Sequence, residues 1–331
     1  MLKIGVLGNG SWATALVKIL CDSGVDCQIN WSFNKFEDGE FVIKKKHNPR
    51  YLTDVTLDLN KIKVLSDIKQ TVLESDLILL VIPSAFLDKQ LSLLSLEDLK
   101  SKKIISAVKG VVSESHQIIS HYLIDKWKVD ENNIAAISGP CHAEEVAMEK
   151  LSYLTVASTS NALAEEVHHL FKCAYINVNF TTDIDGIEYA AVLKNVYAIA
   201  SGICHGLGYG DNFQAVLVSA SAREMERFLE ANKQTHRDVK ENAYLGDLLV
   251  TAYSQFSRNR TFGNMLGKGY SVKSAQMEMN MVAEGYYATK TLYEINQKTN
   301  ANVPILQAVY DVIYNHKNAK LVMHELTKLL S

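Results

Sequence analysis

Lys3-Ile4-Gly5-Val6-Leu7-Gly8-Asn9-Gly10-Ser11-Trp12-Ala13-Thr14-Ala15-Leu16-Val17 opens the chain and decides its fold. Residues 3–7 read as a short apolar strand, Gly8-Asn9-Gly10 as a sharp turn, and the run from Ala13 as a helix. Pyrophosphate binding needs that order. One glycine makes the turn, a second lets the backbone approach the phosphates, and a small third residue lets helix and strand pack. Gly8, Gly10 and Ala13 fill those places. The helix start adds backbone N–H groups and the positive end of a dipole. Alone such a turn is a weak signal, but a strand before it and a helix after it supply the context that makes it specific. The reading is a nicotinamide-dinucleotide site, with Gly8 making the turn and Gly10 meeting the pyrophosphate.

Outward from this turn the first half alternates strand-like and helix-like runs. The predicted strands are 3–7, 26–31, 62–65, 77–82, 103–108, 134–138, 153–157 and 175–178, with helical stretches such as 13–23, 115–127 and 162–171 between them. Several strands are continuously apolar, as strands buried on both faces of a parallel sheet are. The pattern predicts an α/β domain with a doubly wound, mostly parallel sheet. From Asp185 onward helical periodicity takes over, as in 188–202, 212–230, 285–299 and 305–316. The expected division is a dinucleotide-binding domain over 1–182 and an all-α domain over 183–331.

In a doubly wound sheet, ligands bind beyond the carboxyl ends of the strands. The fifth strand ends Val108-Lys109-Gly110, which aims a lysine at the crevice where an anionic substrate would lie. In the helical half, Lys194 and Asn195 interrupt a helix that is apolar almost all round, 188–198. A lysine there is costly unless paired or used, and burial lowers its pKa toward that of a general base. Ser257-Arg258-Asn259 stands at a predicted helix start and makes a phosphate clamp of side-chain donors, backbone N–H groups and dipole. Asp247, opening a short helix with Thr251 one turn on, reads by itself as an ordinary N-cap. The second strand ends Asn30-Trp31-Ser32-Phe33-Asn34, with neither the acid that holds the ribose of NAD nor an arginine for the extra phosphate of NADP, and Lys35 is the nearest cation. NAD and NADP therefore both stay open.

Composition removes other classes. A net charge of −3 over 331 residues offers no basic surface for nucleic acid. The five cysteines show neither paired spacing nor a ligand-like cluster, so no disulfide framework and no metal site is expected. The longest clean apolar run, 77–82, is too short for membrane insertion, and no signal peptide precedes the first strand, so a cytoplasmic location is expected.

The ordered motifs Gly8-x-Gly10-Ser11-Trp12-x-Thr14-Ala15, Asn48-x-x-Tyr51-Leu52, Pro83-Ser84, Val108-Lys109-Gly110, Gly139-Pro140-x-x-Ala143-x-Glu145, Leu193-Lys194-Asn195, Gly206-Leu207-Gly208-Tyr209-Gly210-x-Asn212, Leu245-Gly246-Asp247-Leu248, Ser257-Arg258-Asn259-Arg260 and Glu284-Gly285 resemble the bacterial-type NAD(P)-dependent glycerol-3-phosphate dehydrogenases over most of the chain. The resemblance implies a Rossmann domain followed by a helical domain like that of 6-phosphogluconate dehydrogenase. It implies interconversion of dihydroxyacetone phosphate and sn-glycerol 3-phosphate for phospholipid synthesis, and a homodimer. It puts the general acid/base on Lys194, with Asp247 as its acidic partner. Substrate contacts fall on Lys109, Gly139, Cys141, Lys194, Asn195, Asp247, Thr251, Ser257, Arg258 and Asn259. Cofactor contacts fall on Gly8, Gly10, Ser11, Trp12, Lys109, Ala143, Arg258, Val282 and Glu284. This chain departs from the family pattern with Ala13 for glycine, Cys141 for serine or threonine, and Phe33 for the arginine of a Trp-x-Arg run. Two other readings remain at this point: a related dehydrogenase of a hydroxy acid, and a non-catalytic dinucleotide sensor.

Overall fold

The computed structural model describes residues 1–112, 114–235, 237–279 and 283–330. They divide into two compact units, one of residues 1–108 and 118–187, the other of 109–117 and 188–331.

The first unit is built on one eight-stranded sheet: β1 (Leu2–Leu7), β2 (Cys27–Ser32), β3 (Ile62–Leu65), β4 (Leu77–Leu80), β5 (Lys103–Ser106), β6 (Ile134–Ser138), β7 (Ser152–Ala157) and β8 (Ile176–Thr181). Their spatial order is β3-β2-β1-β4-β5-β6-β7-β8. All neighbours run parallel except β6 and β7. The apolar run 77–82 explains the centre: Leu77 to Leu80 are wholly buried, as a strand covered on both faces must be. The order reverses beside β1, which pairs with β2 through Leu7↔Ser32 and with β4 through Leu7↔Leu80. The turn after β1 thus lies at the topological switch point, where doubly wound sheets hold dinucleotides.

Some boundaries differ from the sequence reading. β4 ends at Leu80 and β5 at Ser106, although the next residue of each is buried and still donates to the neighbouring strand, Val81 N–H to the Leu7 carbonyl oxygen at 2.8 Å and Ala107 N–H to that of Leu80 at 2.9 Å. β8 continues to Thr181 because it is an edge strand. Ile176 to Asn179 alternate buried and exposed, and Phe180 is exposed, so no apolar run marks its end. The helix expected over 115–127 begins only at Ile119, since 109–117 forms an excursion closed by a bridge between Val112 and Gln117.

The second unit is helical. The helix Ile184–Gly206 carries the chain into it and is buried over most of its length. The helices Asp211–Asn232, Asp247–Tyr253, Arg258–Gly267, Val272–Glu278, Glu284–Thr299, Pro304–Ile313 and Ala319–Thr327 follow. Arg258–Gly267 packs on Ile184–Gly206 at backbone contact. A Cβ on Gly263 would stand 2.1 Å from the Ile199 carbonyl oxygen, and one on Gly202 2.1 Å from that of Arg260. Only glycine permits that approach.

Among the described residues no helix is long and apolar enough to cross a membrane.

Candidate active site

The helical unit gathers its chemistry around one carboxylate. Lys194 lies inside Ile184–Gly206 and is 4% exposed; Asp247 is 1% exposed. The Lys194 ammonium donates to Oδ1 of Asp247. The Lys109 ammonium stands 3.7 Å from Oδ2 of the same carboxylate. The two lysines named separately from the sequence are therefore neighbours, bridged by the acid. Asn195 helps to hold this arrangement: its Nδ2 donates to the Lys109 carbonyl oxygen at 3.0 Å, fixing the backbone that carries the second lysine. Thr251 donates its hydroxyl to the Asp247 carbonyl oxygen at 2.6 Å, and that hydroxyl also lies 3.5 Å from Oδ1.

Asp247 is not the N-cap that its position in the sequence implied. The π-helical segment Asn242–Gly246 runs directly into Asp247–Tyr253, and Gly246 already has helical dihedrals (φ −61°, ψ −46°). Asp247 thus lies within a continuous helical run, and its carboxylate turns to the lysines. π-helical turns recur at functional sites because they re-aim a side chain without ending the helix.

The electrostatics follow from this burial. Loss of solvent pulls the Lys194 ammonium down from its usual 10.5 to about 7, Asp247 opposing the shift and Lys109 adding to it. Such a lysine changes protonation state near neutral pH, which general acid/base transfer requires.

Ser257, Arg258 and Asn259 come together at one helix start. Ser257 caps Arg258–Gly267, its hydroxyl accepting from the Arg260 N–H at 3.3 Å. The Arg258 side chain is exposed. Asn259 is nearly buried, and its Oδ1 accepts from the Gly285 N–H at 2.9 Å. The amide's donor end is then what it has for an anion. Glu284 opens the helix Glu284–Thr299, and the adjoining Gly285 has its Cα so close to Ile184–Gly206 that a Cβ there would lie 2.8 Å from the Asn195 carbonyl oxygen. Val282 lies outside the described residues. Gly285, which stands between Asn195 and Asn259, appeared in the sequence only within the pair Glu284-Gly285, since a helical glycine carries no sign of what it faces.

In the sheet unit, Gly8 has φ +125°, and a Cβ there would meet the Val81 carbonyl oxygen at 2.6 Å, so the turn demands glycine. Gly10 begins the helix Ser11–Asp22, and a Cβ there would meet nothing within 4 Å. No side chain caps this helix. An open approach to the backbone at an uncapped helix start fits a pyrophosphate. Ser11 and Trp12 occupy its first turn, half-buried. Gly139 and Cys141 follow β6, both buried, and Ala143 opens the short helix Ala143–Ala147. Beyond β2, Phe33 is buried against Trp31 with ring centroids 4.6 Å apart, while Lys35 is exposed. Where the family pattern has an arginine, this chain has a ring in its core.

Comparison with known proteins identifies the family. Residues 3–164 match the family described as NAD-dependent glycerol-3-phosphate dehydrogenase N-terminus, and residues 183–324 match the corresponding C-terminus. The chain is 36% identical over 332 residues to glycerol-3-phosphate dehydrogenase (NAD(P)+) of Streptococcus sanguinis (strain SK36), covering 98% of this chain and 95% of that relative. It is 37% identical over 333 residues to the protein of the same name from Bacillus cytotoxicus, covering 97% and 93%. The crystal structure of glycerol-3-phosphate dehydrogenase from Coxiella burnetii superposes with a TM-score of 0.90 at 26% identity, over 99% of each chain.

Proposed function

Because this chain belongs to the family of NAD-dependent glycerol-3-phosphate dehydrogenases, we propose that it interconverts dihydroxyacetone phosphate and sn-glycerol 3-phosphate with NAD or NADP. The observation that carries this reading is Lys194, buried, poised near neutrality and tied to Asp247. The chemistry that bound NAD(P) supplies is hydride exchange at C2 of the substrate. Lys194 moves the accompanying proton. Neutral, it takes the proton of the C2 hydroxyl in oxidation; protonated, it gives it to the C2 oxygen in reduction. Asp247 orients the lysine and keeps its protonated form accessible in a site that would otherwise expel the charge.

Arg258 with Asn259 anchors the phosphate, aided by the helix start that Ser257 caps. Held at the end remote from C2, the phosphate lends binding energy to positioning the reacting carbon. Lys109, Asn195 and Thr251 offer polar atoms to the substrate oxygens, Gly139 and Cys141 line the substrate's approach, and Ala143 and Glu284 contact the cofactor with Gly8, Gly10, Ser11 and Trp12. The product serves phospholipid synthesis, and the enzyme works as a homodimer in the cytoplasm.

The test is a spectrophotometric assay of NADH and NADPH oxidation by dihydroxyacetone phosphate, with simple keto acids in parallel. Turnover with the phosphorylated ketone and little with the keto acids is expected. Preference for a keto acid would move the reading to a hydroxy-acid dehydrogenase, and no turnover with any oxidant would leave a sensor.

A further inference from the structure

The motif Asn48-x-x-Tyr51-Leu52 has no place in the chemistry above, yet its first residue reaches into the cofactor turn. Asn48 is 2% exposed. Its Nδ2 donates to the Asn9 carbonyl oxygen at 3.0 Å and to the Thr14 hydroxyl at 2.9 Å. Its Oδ1 accepts from the backbone N–H groups of Arg50 at 3.0 Å and Tyr51 at 3.2 Å. All four hydrogen-bonding positions of this amide are used, two to hold its own loop and two to hold the glycine turn.

The neighbouring carbonyls are held in the same manner. The Trp31 indole, wholly buried, donates to the Gly8 carbonyl oxygen at 2.7 Å. The Gly10 carbonyl oxygen accepts from the Thr14 hydroxyl and the Thr14 N–H, both at 3.0 Å. Every carbonyl of Gly8-Asn9-Gly10 is thus turned toward a protein donor. A peptide unit is planar and trans, so its carbonyl and the next N–H point in opposite directions. Drawing the Asn9 oxygen toward Asn48 therefore aims the Gly10 N–H away from Asn48. Drawing the Gly10 oxygen into the helix aims the Ser11 N–H out of its start. Successive N–H groups presented together make an anion-binding concavity, and a carbonyl turned the other way would repel the same anion.

We propose that Asn48 is a positioning residue for the dinucleotide pyrophosphate, acting through the Asn9 carbonyl, with Trp31 in the same role at Gly8. The inference rests on the NAD(P) reading above. Because the pyrophosphate is common to NADH and NADPH, the effect is on both cofactors alike and not on the choice between them.

The experiment is cofactor binding by fluorescence titration of the full chain, with circular dichroism and melting to check folding, for Asn48→Ala, Asn48→Asp and Trp31→Phe. Asn48→Asp keeps the acceptor that holds Arg50 and Tyr51 but replaces the donor facing Asn9 with an oxygen. Loss of one buried hydrogen bond corresponds to a Kd raised about 10-fold to 100-fold for NADH and NADPH equally. The KM for dihydroxyacetone phosphate should stay within about threefold at saturating cofactor, a split that general loosening would not produce. Unchanged cofactor Kd in folded Asn48→Asp overturns the inference. So does a loss confined to Asn48→Ala, which would reduce the residue to a loop brace. If the Asn48 variants do not fold, Trp31→Phe, which keeps an aromatic ring but removes the indole donor, carries the same expectation and the same refutation. A wild-type chain that binds neither dinucleotide overturns the cofactor reading itself and this inference with it.

Discussion

Asp247→Asn separates what the carboxylate does from what burial does. In the wild-type chain, burial and Lys109 lower the Lys194 pKa while Asp247 raises it, and the balance falls at about 7. The substitution keeps a side chain of the same shape and removes the one opposing contribution. Two unit charges about 4 Å apart interact by roughly 4 kcal/mol at an effective dielectric of about 20. One pH unit corresponds to about 1.4 kcal/mol, so the pH at which Lys194 titrates should fall by on the order of two to three units. The sign matters. Oxidation of sn-glycerol 3-phosphate needs neutral Lys194, so wild-type kcat/KM for oxidation should rise with pH through about 7. In Asp247→Asn that rise should lie well on the acid side of 7, while the plateau drops by about 10-fold to 100-fold because the amine has lost its orienting partner. Reduction, which needs protonated Lys194, should become slow across the neutral range. The assay is kcat/KM in both directions from pH 5 to 9.5, at saturating cofactor and constant ionic strength. A rise that stays at 7, or moves upward, would refute the assignment of Asp247 as the group that sustains the charge on Lys194. Stability has its own signature. At pH 9 Lys194 is neutral in both proteins, so the melting difference should be small. At pH 6 the wild-type lysine is largely protonated and held by its carboxylate, whereas the variant's stays neutral and forgoes that interaction, so the difference should widen as pH falls.

Lys194→Ala should lower kcat by roughly 10² to 10⁴ while cofactor still binds, and near-normal turnover would remove Lys194 from the chemistry. Arg258→Ala should raise KM for dihydroxyacetone phosphate by about 10-fold to 100-fold, the worth of a charge-assisted hydrogen bond, with a smaller change in kcat. An unchanged KM would place the phosphate elsewhere. Gly263→Ala puts a methyl group 2.1 Å from the Ile199 carbonyl oxygen and should cost at least about 2 kcal/mol, read as a lowered melting temperature, with activity falling as the Arg258–Gly267 helix shifts from its partner. A melting temperature equal to that of wild type would mean that the two helices are not locked as described.

Local pattern determined a good deal of this protein. The strand, glycine turn and helix over 3–17 are read from residues that touch one another along the chain, and the turn falls at the switch point beside β1 as that reading implies. Strands that are apolar throughout declared the parallel sheet, because burial on both faces leaves a composition that shows. Lys194 stood out because a charge inside an apolar helix is expensive wherever that helix ends up. What the sequence could not contain was pairing across long separations. Asp247 reads as a cap by its neighbours. Only the fold turns it to Lys194, 53 residues away, with Lys109 on its other oxygen. The excursion 109–117 joins the helical unit although its sequence continues a strand of the sheet unit, because compactness is decided by contacts in space. Gly202 and Gly263 look unremarkable along their helices until backbone meets backbone between them. The glycine turn itself shows the same division. Its glycines announced a pyrophosphate, but the direction of its peptides is set by Asn48 and Trp31, which the chain brings back from the following strand and loop. Residues near in sequence fix local conformation, whereas the aim of a carbonyl, the partner of a carboxylate and the charge of a buried lysine depend on atoms that only tertiary packing brings within a few ångströms.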